Sequence, residues 1–110
     1  MIGDVILRRG TTLVRRLILQ PGEAMPWHVD PYHRVTVVLR GSLLRIEYRD
    51  GGGSVTVPVE AGQTDWDEPT DRLHRGVNAG SVPYEEVTVF FLDHPDATPQ
   101  PTTTLGVDEA

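Results

Sequence analysis

Apolar positions along the chain recur every second residue or gather into short runs closed by Gly, Pro or Asp. That period belongs to half-buried strands, and helical spacing is scarce. The pattern predicts strands over residues 5–8, 12–19, 27–29, 35–39, 43–49, 54–59, 64–67, 74–78 and 86–92. Between the fifth and sixth of these lies Asp50-Gly51-Gly52-Gly53, residues that tolerate positive φ, so the pair reads as a hairpin. So many short strands in so short a chain point to an all-β fold that hides its edges in a closed or double-sheet barrel, with a jelly roll as the expected topology.

Composition narrows the picture. A chain of 110 residues fits one domain. With 38% apolar residues and seven aromatics, its core should be aliphatic and thin. From residue 93 the sequence turns polar and rich in Pro and Thr, so residues 1–92 are expected to form the barrel and residues 93–110 a mobile tail or an arm packed on a neighbour. The net charge of -6 makes nucleic acid a poor partner, and all ten basic residues are Arg. There is no Cys, which excludes disulfides and thiolate chemistry. No secretory leader or membrane-length apolar run is visible, so a cytoplasmic protein without membrane attachment is expected.

Two stretches carry candidate chemistry. The first runs from Pro21-Gly22 through Pro26-Trp27-His28-Val29-Asp30-Pro31-Tyr32-His33-Arg34 to Gly41, and the second is Pro69-Thr70-Asp71-Arg72-Leu73-His74-Arg75-Gly76-Val77-Asn78. Together they resemble the paired motifs of the cupin superfamily, in particular the small single-domain bacterial cupins of the RmlC-like jelly-roll type. Gly22, His28 and Gly41 fall in register with the first motif, while Asp30 stands where that motif has a second His and Arg34 where it has Glu. Pro69, His74 and Asn78 match the second, and Asp71 replaces its Gly. The resemblance implies a double-stranded β-helix with the motif histidines facing one interior. The Pro-Trp-His run also resembles a subgroup of cupins associated with the catabolism of small acids.

Residues two apart on a strand share a face, so His28 and Asp30 should converge with His74 approaching across the barrel. Two imidazoles and a carboxylate suit a divalent transition metal: Fe, Mn, Ni or Zn. His33 is a further candidate ligand if the register shifts by one. Arg34 offers no lone pair to a metal, but an inward guanidinium would hold a substrate carboxylate. Tyr32, Trp27 and Trp66 are candidates to wall a ligand pocket. Arg40, Arg45 and Arg72 could share the lumen or lie on a solvated face. The acidic run Asp65, Asp67, Glu68, Asp71 lacks the parts of a calcium loop and reads as a solvated edge. His94 falls in the tail.

Three functions fit these parts: a metal-dependent cupin acting on a small acid or diol, a metal-free acid–base isomerase or epimerase using a histidine with Tyr32, and a non-catalytic small-anion-binding domain using Arg34. The phosphate-loop and Gly-x-Ser-x-Gly motifs are missing. Apolar residues in 35–39 and 86–92 look too numerous to face water, so a homodimer is expected.

Overall fold

A computed structural model describes residues 1–92. The expectation of a tail beyond them lies outside the described residues. Nine strands follow in order: β1 (Ile2–Arg9), β2 (Thr12–Leu19), β3 (His28–Asp30), β4 (His33–Arg40), β5 (Leu43–Tyr48), β6 (Ser54–Pro58), β7 (Thr64–Asp67), β8 (Thr70–Asn78) and β9 (Tyr84–Phe91). They form two antiparallel sheets, one of five strands in the order β1-β2-β9-β4-β7 and one of four in the order β3-β8-β5-β6. Strand β8 begins four residues before its predicted start, because Thr70 pairs with Asp30 of β3 and extends the ladder. No helix among the described residues is long and apolar enough to cross a membrane.

Alternation explains which side chains turn inward. Along β9, Tyr84, Glu86, Thr88 and Phe90 are buried while the residues between them are only partly covered. The core is aliphatic, as the composition implies: Leu17, Leu19, Val38 and Val59 pack with Tyr84 at one end of the barrel. Gly41, the last residue of the first motif, is held there by contact. Its φ is 152° and an added Cβ would stand 2.8 Å from the Tyr84 ring. Asn78, the last residue of the second motif, closes the same end by donating to the carbonyls of Leu19 at 3.0 Å and Val82 at 2.8 Å, and accepting from Gly80 N at 2.9 Å. The two most recognisable non-histidine motif positions are therefore structural. At the free edge of the larger sheet, β1 carries an irregularity between Val5 and Leu7 where its pairing with β2 slips by one residue.

With one end filled, the other stays open. A cavity of about 340 Å³ lies between the sheets.

Candidate metal centre

The centre is built on β3 and β8. His28 and His74 stand directly opposite each other in the ladder, with ring centroids 4.5 Å apart. Asp30, two residues along β3, turns to the same face and points a carboxylate oxygen at both rings: Oδ2 is 2.9 Å from His74 Nε2 and 3.3 Å from His28 Nε2. His74 thus comes from the neighbouring strand of the same sheet rather than from across the barrel. Donor atoms of the three residues all lie within 4.8 Å of one another. Asp30 and His74 are buried and His28 is partly covered.

Backbone carbonyls fix the orientation of both rings. His28 Nδ1 lies 2.8 Å from the Pro26 carbonyl and His74 Nδ1 lies 2.7 Å from the Arg72 carbonyl. A carbonyl only accepts, so each Nδ1 carries hydrogen and each neutral ring presents its Nε2 lone pair to Asp30. Two lone pairs facing a carboxylate call for a cation between them, either a proton or a metal ion. Burial would raise the Asp30 carboxyl, but when the cation is a proton the His28 hydrogen bond and the charges of Arg34, His28 and His74 outweigh it and hold the carboxyl at about 2. The hydrogen bond to Asp30 likewise raises His28 against its own burial.

Arg34 points inward from β4. Its Nη2 is 3.6 Å from Asp30 Oδ2, and its Nη1 donates to the carbonyls of Glu68 at 3.2 Å and Tyr32 at 3.4 Å. Asp67, opposite Arg34 in the β4–β7 ladder, also lines the lumen with Asp65. Burial raises the Asp67 carboxyl, with only partial relief from Arg34. Of the acidic run, Asp67 is thus partly buried in the lumen, which corrects the solvated-edge reading for that residue, while Asp65, Glu68 and Asp71 are exposed as that reading expects. Deeper in, Glu86 accepts from the Tyr84 hydroxyl at 2.5 Å, the Thr88 hydroxyl at 2.7 Å and Arg15 Nη2 at 3.1 Å. Arg15 and Glu86 escaped the sequence reading. The signal for Glu86 was present in the inward phase of β9, Tyr84-Glu86-Thr88-Phe90.

Other expected site residues lie elsewhere. His33 does not join the centre: one position from Arg34 on β4, it turns to the outer face, where its ring packs 5.5 Å from Trp66. Its Nδ1 is 3.2 Å from Glu68 Oε1 without making a hydrogen bond to it. Trp66 borders the cavity at β7, yet the residue is 54% exposed and its ring packs outward on His33 and Phe91. Trp27 does not wall the lumen either, because its ring lies under the guanidinium groups of Arg75 and Arg49. Tyr32 sits at the mouth of the barrel beside His28 and Asp30. Arg40, Arg45 and Arg72 are engaged outside the lumen by Glu85, Glu47 and Asp50 respectively.

No protein-family model matches the chain, and no curated protein matches it in sequence. Solved structures do. A cupin domain from Bordetella pertussis Tohama I superposes with a TM-score of 0.71 at 22% identity, covering 81% of this chain and 90% of that one. An RmlC-like cupin family protein with a double-stranded β-helix fold from Methanocaldococcus jannaschii gives a TM-score of 0.66 at 17% identity, covering 86% and 81%. An oxalate oxidase in complex with the substrate analogue glycolate gives a TM-score of 0.59 at 25% identity, over 77% of this chain and 44% of that one. This is a cupin fold, a double-stranded β-helix, with a His/Asp triad that could hold a metal ion.

Proposed function

We propose that this barrel binds one divalent transition metal ion through His28 Nε2, an Asp30 carboxylate oxygen and His74 Nε2, and takes a small polar or carboxylate ligand into the lumen beside it. One observation carries the reading: both Nδ1 atoms are spent on carbonyls, so two lone pairs and a carboxylate meet where a cation satisfies all three. The donor set suits Fe(II), Mn(II), Ni(II) or Zn(II). When bound, such an ion supplies Lewis-acid polarisation of a ligand oxygen and, if it is iron, a route to O₂ chemistry. The chain's own part is orientation. The Pro26 and Arg72 carbonyls hold the rings in one tautomer, Asp30 is already ionised at neutral pH, and Arg34 stands in the lumen wall to receive a ligand carboxylate. The fold-mate described with glycolate supports a small acid as the ligand class, and with it a metal-dependent enzyme of small-acid catabolism.

Protein purified without an affinity tag is expected to carry about one equivalent of a divalent transition metal, and the His28→Ala, His74→Ala double variant to carry none, by elemental analysis. Wild-type protein that holds no metal and takes up no Zn(II) in calorimetry refutes the reading.

A second reading draws on the raised pKa of His28, which lets a proton stand in the ion's place. The barrel would then work without metal, as an acid–base isomerase using His28 with Tyr32 at the mouth, or as an anion-binding domain using Arg34. A thermal shift with small carboxylates that EDTA leaves unchanged would favour it.

A further inference from the structure

Two cavities meet at the candidate centre. The lumen and a groove at the barrel mouth of about 390 Å³ both reach Arg15, Met25, His28 and Asp30. Beyond that junction the groove is lined by apolar side chains apart from Tyr32, which brings one hydroxyl. Leu13 and Phe90, cross-strand partners in the β2–β9 ladder, line the groove together with Leu92, Val29 and Pro31. The charged groups of the groove are confined to the junction, where the Arg15 guanidinium lies 5.1 Å from the Phe90 ring centroid and pairs with Glu86. A ligand that reaches His28 and Asp30 along this path presents a polar head to the junction and leaves the rest of its length against apolar side chains. A short diacid would occupy only the junction.

We propose that the ligand is an amphipathic monocarboxylate, its head at the junction and a branched aliphatic or aryl body in the Leu13–Phe90–Leu92 groove. This rests on the reading of the site as one that takes a carboxylate, and it specifies which kind. Donors for the head are at hand, since the guanidinium groups of Arg15 and Arg34 line the lumen it enters, among the carboxylates of Asp30, Asp65, Asp67 and Glu86. The body adds affinity by leaving water, at about fourfold per buried methylene. Specificity is then set by the groove rather than by the metal ligands.

Calorimetry on the full-length protein, with and without Zn(II), tests this with three probes: glycolate, 3-phenylpropionate and the neutral 3-phenylpropanol. The expected result is that 3-phenylpropionate binds at least tenfold more tightly than either of the others. Leu13→Glu and Leu92→Glu, each made singly in case one fails to fold, should abolish that preference while leaving Zn(II) affinity unchanged. Equal affinity for glycolate and 3-phenylpropionate in protein that binds Zn(II) overturns the groove assignment and leaves the metal reading standing. A preference that is lost in the Glu variants, in protein that binds no Zn(II), supports the groove and overturns the metal. If both Glu variants leave the probe's affinity unchanged and instead alter the oligomeric state, or move the NMR resonances of residues after Leu92, the groove belongs to a second copy or to the chain's own continuation, and the proposal fails.

Discussion

Arg34 and Asp67 show how single residues set the charge of the lumen. Arg34 places a permanent cation 3.6 Å from the carboxylate that would carry a metal ion, without the alignment of a strong hydrogen bond. It favours the ionised Asp30 carboxylate but repels a metal ion placed there. Arg34→Met is expected to tighten Zn(II) binding by about tenfold in calorimetry, while weakening any carboxylate ligand. Asp67 works in the opposite sense. Burial raises its carboxyl in the folded protein above the ordinary 3.8, so folding favours the protonated form. The stability this form contributes is complete below the unfolded value and is lost as pH rises through the folded one. Asp67→Asn should thus match wild type in urea unfolding near pH 3 and exceed it at pH 7. The sequence revealed His28, Asp30 and His74 through spacing and strand parity, because their chemistry is unusual for a turn-rich β chain. It concealed Arg15 and Asp67, since an Arg or Asp on a strand looks the same whether it faces water or a lumen.

At the scale of elements, strand phase decides everything the motifs leave open. The slip that would have turned His33 inward does not occur: β4 runs in register with β7 and β9 from Arg34 to Val37, which commits Arg34, Thr36 and Val38 to the lumen. Phase is a property of ladders, and the partners of β4 lie 27 to 58 residues away, beyond the reach of local pattern. The short strand β3 shows the same limit. It owes its place to β8, which begins earlier than apolar periodicity suggests because the pairing resumes at Thr70, past the irregularity that lies opposite Asp71 and Arg72. Turns were easier to read. Gly41 links β4 to β5 under the Tyr84 ring, and Gly41→Ala should cost about 1–3 kcal/mol by urea unfolding, since neither the ring nor the backbone can yield without opening the packed end. Asn78→Ala at that end should cost about 2–4 kcal/mol, because it leaves two carbonyls and one amide without partners.

The whole molecule divides its labour along the barrel axis, with an aliphatic plug at one end and a polar lumen open at the other. The outer face of the five-stranded sheet adds a third surface: Val35 and Val37 on β4, Val87 and Val89 on β9, and Trp66 on β7 lie on the side away from the lumen. A homodimer joined through this face is the expected state in solution, and Val35→Glu should convert it to monomers in light scattering at micromolar concentration. Wild-type protein that is already monomeric there would contradict this. The free edge of the same sheet has a different consequence. Val5, Ile6 and Leu7 are each at least half exposed on β1, a run that would invite endless strand-by-strand growth if it were flat. The slip between Val5 and Leu7 breaks the pleat at the middle of that run. Deleting Ile6 would restore an even ladder, and the protein should then elongate into thioflavin-positive fibres under conditions where the parent chain stays in solution. On this reading the surplus residue Ile6 is a stop against polymerisation, and a deletion variant that stays in solution contradicts it.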